Sequence, residues 1–141
     1  KEALLFDLLK AHMDELLAAW AEVPRGAGAL AALEGFVRFH IRHNLPRAEA
    51  VFLSYMELRN LSAANFATIE ALRKAYETEL ETILQAGRGA GVLALPDTKL
   101  AAMAIVAMLT GVTTWYREGG RLSRETVETI YWDMVRKAVG A

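Results

Sequence analysis

The strongest restriction on the fold comes from an uninterrupted apolar segment at 100–109, which reads Leu-Ala-Ala-Met-Ala-Ile-Val-Ala-Met-Leu. At helical pitch these residues surround the helix on every side, whereas a helix at the edge of a bundle keeps a polar face. Either this helix is the central one of its own bundle, or another molecule covers the side that the bundle leaves bare. A membrane-spanning helix needs about 20 apolar residues, so we expect no membrane segment and no membrane partner.

Elsewhere apolar residues recur at intervals of three and four, and no stretch alternates in the manner of a strand, which predicts an all-α chain. Few positions around the third helix are polar, so we expect this helix to be buried on two sides. The pattern predicts a six-helix bundle. The first helix ends near Val23, the second ends at Pro46, and the third runs from about Arg47 to Leu61. The fourth is capped by Ser62 and ended by glycines at 87, 89 and 91, the fifth runs from Asp97 to about Arg117, and the sixth is capped by Ser123.

The composition excludes several classes of protein. The 141 residues are 54% hydrophobic and 23% charged, which is typical of one folded domain and not of a disordered chain. The absence of cysteine excludes disulfides, thiolate metal sites and a cysteine nucleophile, and it is compatible with a cytoplasmic protein. Sixteen basic and seventeen acidic residues nearly cancel, so we expect these residues not to bind DNA themselves.

The surplus of apolar surface predicts a homodimer. Small residues on one side of the fifth helix would let another helix approach closely, and the sixth helix adds apolar residues beside its core stripe. Two such helices favour a two-fold interface of four helices. A central core helix with no partner remains the alternative. The predicted interface comprises Ala104, Ala107, Met108, Gly111, Trp132 and Val135.

Groups that could carry catalysis or bind a metal are few. His40 and His43 are three residues apart, but no Glu-x-x-His pattern occurs, so we expect no metal site and no cofactor. We expect His43 to be solvated and His40 to lie at the edge of the core. The glycines at 87–91 follow a helix instead of a strand, so they indicate a helix end and not a phosphate loop. No catalytic motif is present, which argues against an enzyme.

One charged residue stands within an apolar stripe. Arg73 falls between Ile69 and Tyr76 on the fourth helix. A guanidinium buried there needs an anionic partner. The partner is either a carboxylate of the preceding helix, Glu57 or Glu49, or the anionic group of a ligand.

The end of the fifth helix combines hydroxyl groups with aromatic and basic side chains. Threonines at 110, 113 and 114 precede Trp115, and Arg117 and Arg121 follow. An apolar wall with a few polar groups is typical of small-molecule pockets, and guanidiniums beside aromatic rings suit phosphate or carboxylate binding. The same residues would also fit the amphipathic end of a core helix.

Three segments together resemble a known family. They are Tyr-Met-Glu-Leu-Arg-Asn-Leu-Ser at 55–62, Arg73 with the Tyr-Glu pair at 76–77, and Trp-Tyr-Arg-Glu-Gly-Gly-Arg-Leu-Ser at 115–123. They are similar to the C-terminal regulatory domain of TetR-family transcriptional repressors, and most similar to the branch that senses acyl-CoA thioesters. The family has proline where this chain has Glu118. Residues 1–5 resemble the start of the helix that follows the family's helix-turn-helix.

The resemblance implies that residues 1–141 form one effector-binding and dimerisation domain, without the helix-turn-helix domain through which the family binds DNA. It implies an effector cavity among the first five helices and dimerisation through the last two. We therefore expect a cytoplasmic one-component repressor that senses an acyl-CoA thioester or a related lipid or aromatic acid derivative. A helical adaptor that only dimerises and a helical-bundle enzyme are the alternatives. The expected ligand contacts are Phe52, Tyr55, Met56, Arg59, Arg73, Tyr76, Met108, Val112, Trp115, Arg117 and Arg121.

Overall fold

The structure is a computed structural model that describes residues 1–141. It is all-helical, which confirms the predicted fold class, and none of its helices combines the length and hydrophobicity needed to cross a membrane. Short 3-10 turns follow three of the helices, at 45–47, 58–60 and 111–114. The six α-helices are α1 (Glu2–Ala21), α2 (Ala29–Asn44), α3 (Ala48–Met56), α4 (Ala63–Gly89), α5 (Thr98–Thr110) and α6 (Arg124–Ala138).

Local capping interactions fix where three helices begin. Ser62, Asp97 and Ser123 each accept a hydrogen bond from the backbone N–H three residues later, at 3.3, 2.9 and 3.1 Å. Each bond satisfies one of the N–H groups that a helix leaves free at its start. The three predicted N-caps are therefore confirmed.

Two helices end earlier than their apolar pattern predicts. The chain leaves α3 at Met56 and α5 at Thr110, and a 3-10 turn follows each. After α5, the hydroxyls of Thr113 and Thr114 donate to the carbonyls of Thr110 and Gly111, at 2.8 and 2.7 Å. Threonine hydroxyls that bond to nearby backbone offer the chain an alternative to helical hydrogen bonds, so the apolar pattern overstates the length of α5.

The centre of the bundle is α2, and α1, α4, α5 and α6 pack around it. Its residues Leu33, Phe36 and Val37 have no solvent exposure. Trp20 of α1 packs edge-on against Phe36, with 5.1 Å between the ring centroids. Because α2 occupies the centre, α5 lies at the edge of the bundle.

One face of α5 is therefore bare. Ala102, Ile105 and Leu109 are buried against the bundle, but Leu100 is 61% exposed and Met103 is 41% exposed. The alternative in which α5 is a core helix wrapped wholly by its own chain is wrong. The chain by itself leaves an apolar face that another molecule would have to cover.

The helix α6 also exposes apolar residues, but not all of those predicted for the interface. Ile130 and Met134 are exposed, whereas Trp132 is half-buried against the core. Val135 has no solvent exposure, so its place in the predicted interface is wrong. It lies eight residues after Val127 and is buried with it against the core, whereas Ile130 and Met134, on the neighbouring strip of the same helix, are exposed.

The prediction that α3 is buried on two sides is also wrong. Val51 is its only buried residue, and Phe52 is 61% exposed. Tyr55 and Met56 are exposed as well. The helix packs on α1 and borders the 3-10 turn after α5, but no other helix covers its outer face.

A buried carboxylate joins α2 to α6. Glu128 is fully buried and accepts two hydrogen bonds from the Arg42 guanidinium, at 2.9 and 2.8 Å. Arg124 and Arg38 lie 3.2 and 3.7 Å from the same carboxylate. A buried carboxylate requires this compensation for its lost hydration. Arg38 and Arg42 of α2 thereby hold α6 against the central helix, and Arg124 of α6 itself adds to the compensation.

Candidate ligand-binding cavity

A cavity of about 210 Å³ lies among the first five helices. The helix α1 contributes one wall, α3 another, and α2, α4 and α5 supply the floor and remaining sides. Its lining mixes apolar side chains with several polar ones. The lining residues are His12, Met13, Leu16, His40, Asn44, Val51, Ser54, Tyr55, Arg73, Tyr76, Glu77, Met103, Val106, Ala107 and Thr110.

A buried chain of hydrogen bonds forms the floor of this cavity. The Tyr76 hydroxyl lies 2.8 Å from His40 Nδ1, and His40 Nε2 lies 2.8 Å from Thr110 Oγ1. Thr110 Oγ1 in turn donates to the Val106 carbonyl at 2.7 Å. Because the threonine proton is used there, His40 Nε2–H must donate to Thr110, and Tyr76 O–H must donate to Nδ1. The direction of every bond in the chain is thus determined.

The groups in the floor are uncharged at neutral pH. Burial, together with smaller contributions from the nearby His43 and His12, lowers the pKa of His40 to about 3. Burial also raises the pKa of Tyr76 well above its ordinary value. Both shifts arise because removal from water disfavours the charged form of a group. The floor therefore provides hydrogen-bonding atoms without a net charge.

His43 does not have the solvated position that the sequence predicts. It is 7% exposed, it stacks on Phe39 with 5.3 Å between ring centroids, and burial lowers its pKa to about 4. It lies outside the cavity lining. No group of three histidine, aspartate or glutamate side chains is placed to hold a metal ion.

Arg73 lines the cavity without an ionic partner in the chain. Its guanidinium carbon lies 5.1 Å from the centre of the Tyr55 ring, and no carboxylate is within 4.0 Å. The predicted pairs with Glu57 and Glu49 are therefore wrong: Glu57 accepts a hydrogen bond from Asn60 at 3.0 Å, and Glu49 points to solvent. The positive charge of Arg73 is available to a ligand.

A second, shallower depression adjoins the cavity. We call it the α3–α5 groove; it has a volume of about 620 Å³ and a mostly apolar lining. It shares Val51, Tyr55, Ala107 and Thr110 with the cavity, so the two spaces meet at these residues. Its lining is Ala48, Val51, Phe52, Tyr55, Met56, Ala107, Thr110, Gly111, Thr113 and Thr114.

The structure brings together five of the predicted ligand contacts. Tyr55, Arg73 and Tyr76 line the cavity, and Phe52 and Met56 join Tyr55 in the groove. These residues come from α3 and α4, which face one another across the space. Helical spacing identifies them because each falls on the inner or groove side of its helix.

The other predicted contacts lie elsewhere. Val112 has no solvent exposure and lies in the core, so it contacts neither space. Met108 packs half-buried against that core, and Arg59 is exposed in the turn after α3. Arg59 and Val112 lie in the 3-10 turns after α3 and α5, because both helices end before the apolar pattern does, whereas Met108 lies within α5 on the side that packs against the core.

Trp115, Arg117 and Arg121 form a separate surface pocket of about 200 Å³. Tyr116, Gly120 and Leu122 complete it, and the Trp115 ring stacks on Tyr131 with 6.4 Å between centroids. Its lining residues do not overlap those of the cavity. The sequence predicts one ligand site, but the structure divides its residues between two places.

Sequence reasoning missed several polar residues of the cavity, chiefly His40, Asn44 and Ser54, and it considered Thr110 for a pocket lining without identifying its contact with His40. His40 and Thr110 are 70 residues apart in the chain, so no local spacing reveals their contact. The available signal was a histidine in the apolar stripe of α2 and a threonine at the end of an apolar helix. Polar residues in such stripes are buried with a partner, but the sequence does not identify the partner.

The low pKa of His40 makes the stability of the fold depend on pH. An ordinary histidine has a pKa of about 6.5, and His40 when folded has about 3. Acid between these values protonates this side chain only in the unfolded chain. The stability that neutral His40 provides is therefore complete above the unfolded pKa and is lost as the pH falls toward the folded one.

We expect the wild-type chain to lose about 2 kcal/mol more unfolding free energy than His40→Gln between about pH 6.5 and about pH 4.5. Urea unfolding at both pH values, followed by circular dichroism, measures the difference. His12 and His43 titrate in both proteins, so their contributions cancel. Equal losses in the two proteins would show that His40 is not a buried neutral group.

Residues 26–139 match the family model described as tetracyclin repressor-like, C-terminal domain. No curated protein matches the chain significantly. Several solved structures have the same fold. A regulatory protein of the tetR family from Rhodococcus RHA1 superposes with a TM-score of 0.91 at 24% identity, covering 99% of this chain and 74% of that one.

Two further structures illustrate the range of similarity. The TetR family transcriptional regulator PfmR from Thermus thermophilus has a TM-score of 0.84 at 27% identity, with 96% of this chain and 75% of that one covered. AibR, solved in complex with isovaleryl coenzyme A and operator DNA, has a TM-score of 0.81 at 23% identity, with 94% and 73% covered. At such identities the structural likeness establishes the fold, whereas the family match over 26–139 establishes the family. The chain belongs to the TetR family of transcriptional regulators, as a C-terminal regulatory domain and not as an enzyme.

Proposed function

We propose that this chain is the effector-sensing and dimerisation domain of a one-component cytoplasmic repressor. The effector is an acyl-CoA thioester, or a related lipid or aromatic acid derivative, and its acyl part occupies the cavity among α1–α5. DNA is bound only through a helix-turn-helix domain that would precede residue 1. The observation that carries this proposal is a partly apolar cavity with an unpaired cation, Arg73, in its wall.

The dimensions of the two spaces support a ligand with two parts. Sites that enclose a whole drug-sized ligand have volumes of about 300–1,000 Å³, and the cavity has only about 210 Å³. It is therefore suited to an acyl group and too small for a whole coenzyme A thioester. The α3–α5 groove adds about 620 Å³ next to it, which provides a path for the pantetheine part toward solvent.

Two sets of cations could meet the polar part of such a ligand. Arg73 lies in the cavity wall, where it could contact a thioester carbonyl or a carboxylate. Arg117 and Arg121 lie in the surface pocket beside Trp115, where guanidiniums and an aromatic ring suit phosphate groups. The ligand complex of AibR contains isovaleryl coenzyme A, which supports the acyl-CoA class for this chain by analogy only.

The position of α1 suggests how effector binding would reach the DNA. Its middle lines the cavity through His12, Met13 and Leu16, and its first turn would attach to the upstream domain. The Glu2 carboxylate there accepts hydrogen bonds from the Ser62 N–H and the Asn65 side chain, both at 2.7 Å. A ligand shifts the DNA-binding population only by its difference in affinity for the two arrangements of these helices.

A filled interior would be expected of an adaptor that only dimerised. Two residues that line the cavity, Asn44 and Ser54, instead have buried side-chain oxygens without a hydrogen-bond partner. Leaving such atoms unpaired costs free energy, which a bound ligand would recover. The adaptor alternative is therefore less well supported than the sensor.

Calorimetric titration with acyl-CoA thioesters of increasing chain length, and with coenzyme A alone, tests the effector class. We expect short thioesters to bind and coenzyme A alone to bind more weakly, because the acyl group fills the cavity. Arg73→Gln should weaken binding about tenfold, equivalent to about 1.4 kcal/mol. Lys74→Gln, which removes a charge from the exposed neighbouring position, should leave affinity unchanged. No heat with any thioester would contradict the effector class.

We propose further that a second copy of the chain covers the bare faces of α5 and α6. Leu100, Ala104, Ala107 and Gly111 recur at three- and four-residue spacing along α5, and the first three are exposed. On α6, Ile130 and Met134 are exposed apolar residues as well. Ala107 and Gly111 also line the α3–α5 groove, so a partner on this face would close the groove from outside.

Sedimentation equilibrium of the purified chain tests the dimer. We expect twice the 15.5 kDa mass of the chain. Ala104→Glu should yield a folded monomer, because it places a charge in the middle of the buried apolar face. Val92→Glu alters an exposed apolar residue in the loop after α4 and should leave the dimer intact. A wild-type mass of one chain would contradict the proposal.

A further inference from the structure

The cavity floor offers a ligand more hydrogen-bond acceptors than donors. The Tyr76 hydroxyl proton is committed to His40 Nδ1, because the Thr110 proton is committed to the Val106 carbonyl. Only the lone pairs of the Tyr76 oxygen therefore remain available to a ligand in the cavity. The tyrosine is thus an acceptor toward any ligand.

Asn44 is a second acceptor in the same floor. It is 2% exposed, and its Nδ2 donates to the His40 carbonyl at 2.9 Å. That bond fixes the orientation of the amide, since the other orientation would place two oxygens against each other. The Oδ1 atom is fully buried and has no partner within the chain.

Of two further polar groups in the lining, the Glu77 carboxylate adds to the imbalance, whereas the Ser54 hydroxyl can donate or accept. Ser54 lines the cavity from α3, and its buried Oγ has no partner in the chain. Glu77 lines the cavity one turn after Arg73 on α4 and forms neither an ion pair nor a hydrogen bond with it. Arg73 is the one group on the α4 side that can only donate. An effector that fits must therefore present a donor to the floor and an acceptor or an anion to Arg73.

We propose that the effector carries a hydroxyl group on the part that enters the cavity, and that this hydroxyl donates to Asn44 Oδ1, the acceptor that has no partner within the chain. A plain acyl chain would leave both acceptors without a donor. A free carboxylate at the buried end would place its charge against acceptor atoms. Together with the proposed acyl-CoA class, on which this inference rests, the floor selects short hydroxyacyl thioesters over unsubstituted ones.

Calorimetric titration of the wild-type chain with butyryl-CoA and with 2-, 3- and 4-hydroxybutyryl-CoA tests this selection. The four probes share the coenzyme and the carbon chain, so they differ only in the donor and its position. We expect at least one hydroxylated probe to bind about tenfold or more tightly than butyryl-CoA. A site built to bond a hydroxyl discriminates against the analogue that lacks it, because its own polar atoms are then left unpaired.

Substitution of Asn44 tests whether this residue is the acceptor responsible for the hydroxyl preference. Asn44→Leu removes the acceptor at similar size, and it should reduce the ratio of hydroxylated to plain affinity to less than about threefold. Thr82→Val, which removes an exposed hydroxyl of α4 outside both the cavity and the groove, should retain the full preference. If Asn44→Leu does not fold, the comparison of the four probes on the wild-type chain still decides.

Each outcome has a definite meaning. Tighter binding of a hydroxylated probe, abolished in Asn44→Leu, supports the inference. Equal or weaker binding of all three hydroxylated probes overturns it and leaves the proposed acyl-CoA sensing intact. Failure of all four thioesters to bind overturns both.

Discussion

The hydrogen-bonded chain from Tyr76 through His40 to Thr110 joins α4, α2 and α5 at the point where the cavity meets the core. Each of these groups is buried, and each has the partner that burial requires. The chain of bonds thereby fixes the relative positions of three helices at one level of the bundle. Its three side chains also line the cavity together with Arg73, next to the α3–α5 groove.

Two features of the molecule lack a partner within its own chain. Inside, a guanidinium and two buried oxygens have no partner in the chain. Outside, the apolar faces of α5 and α6 have no cover. Polar atoms without partners indicate a small molecule, and an apolar face indicates another protein. A regulatory domain that binds an effector and a second copy of itself would satisfy both.

Much of the fold could be predicted from the sequence because the signals are local. Ser62, Asp97 and Ser123 cap their helices as their positions predict, and the apolar segment of α5 forms a helix with surplus apolar surface. The errors concern how helices face one another. Val135 lies on the core side of α6, and Arg73 lacks the carboxylate that its burial predicted, because these depend on packing between distant segments. For the same reason the contact of His40 with Tyr76 could not be found before the structure was known.

A crystal structure of the chain bound to a short acyl-CoA thioester would locate the effector. We expect the acyl group to lie between α1 and α4, in contact with the Asn44 and Tyr76 side chains, and its thioester carbonyl to point toward Arg73. The pantetheine part should leave through the α3–α5 groove. An acyl group bound in another part of the bundle, with the cavity beside His40 left empty, would contradict the assignment of this cavity as the sensing site.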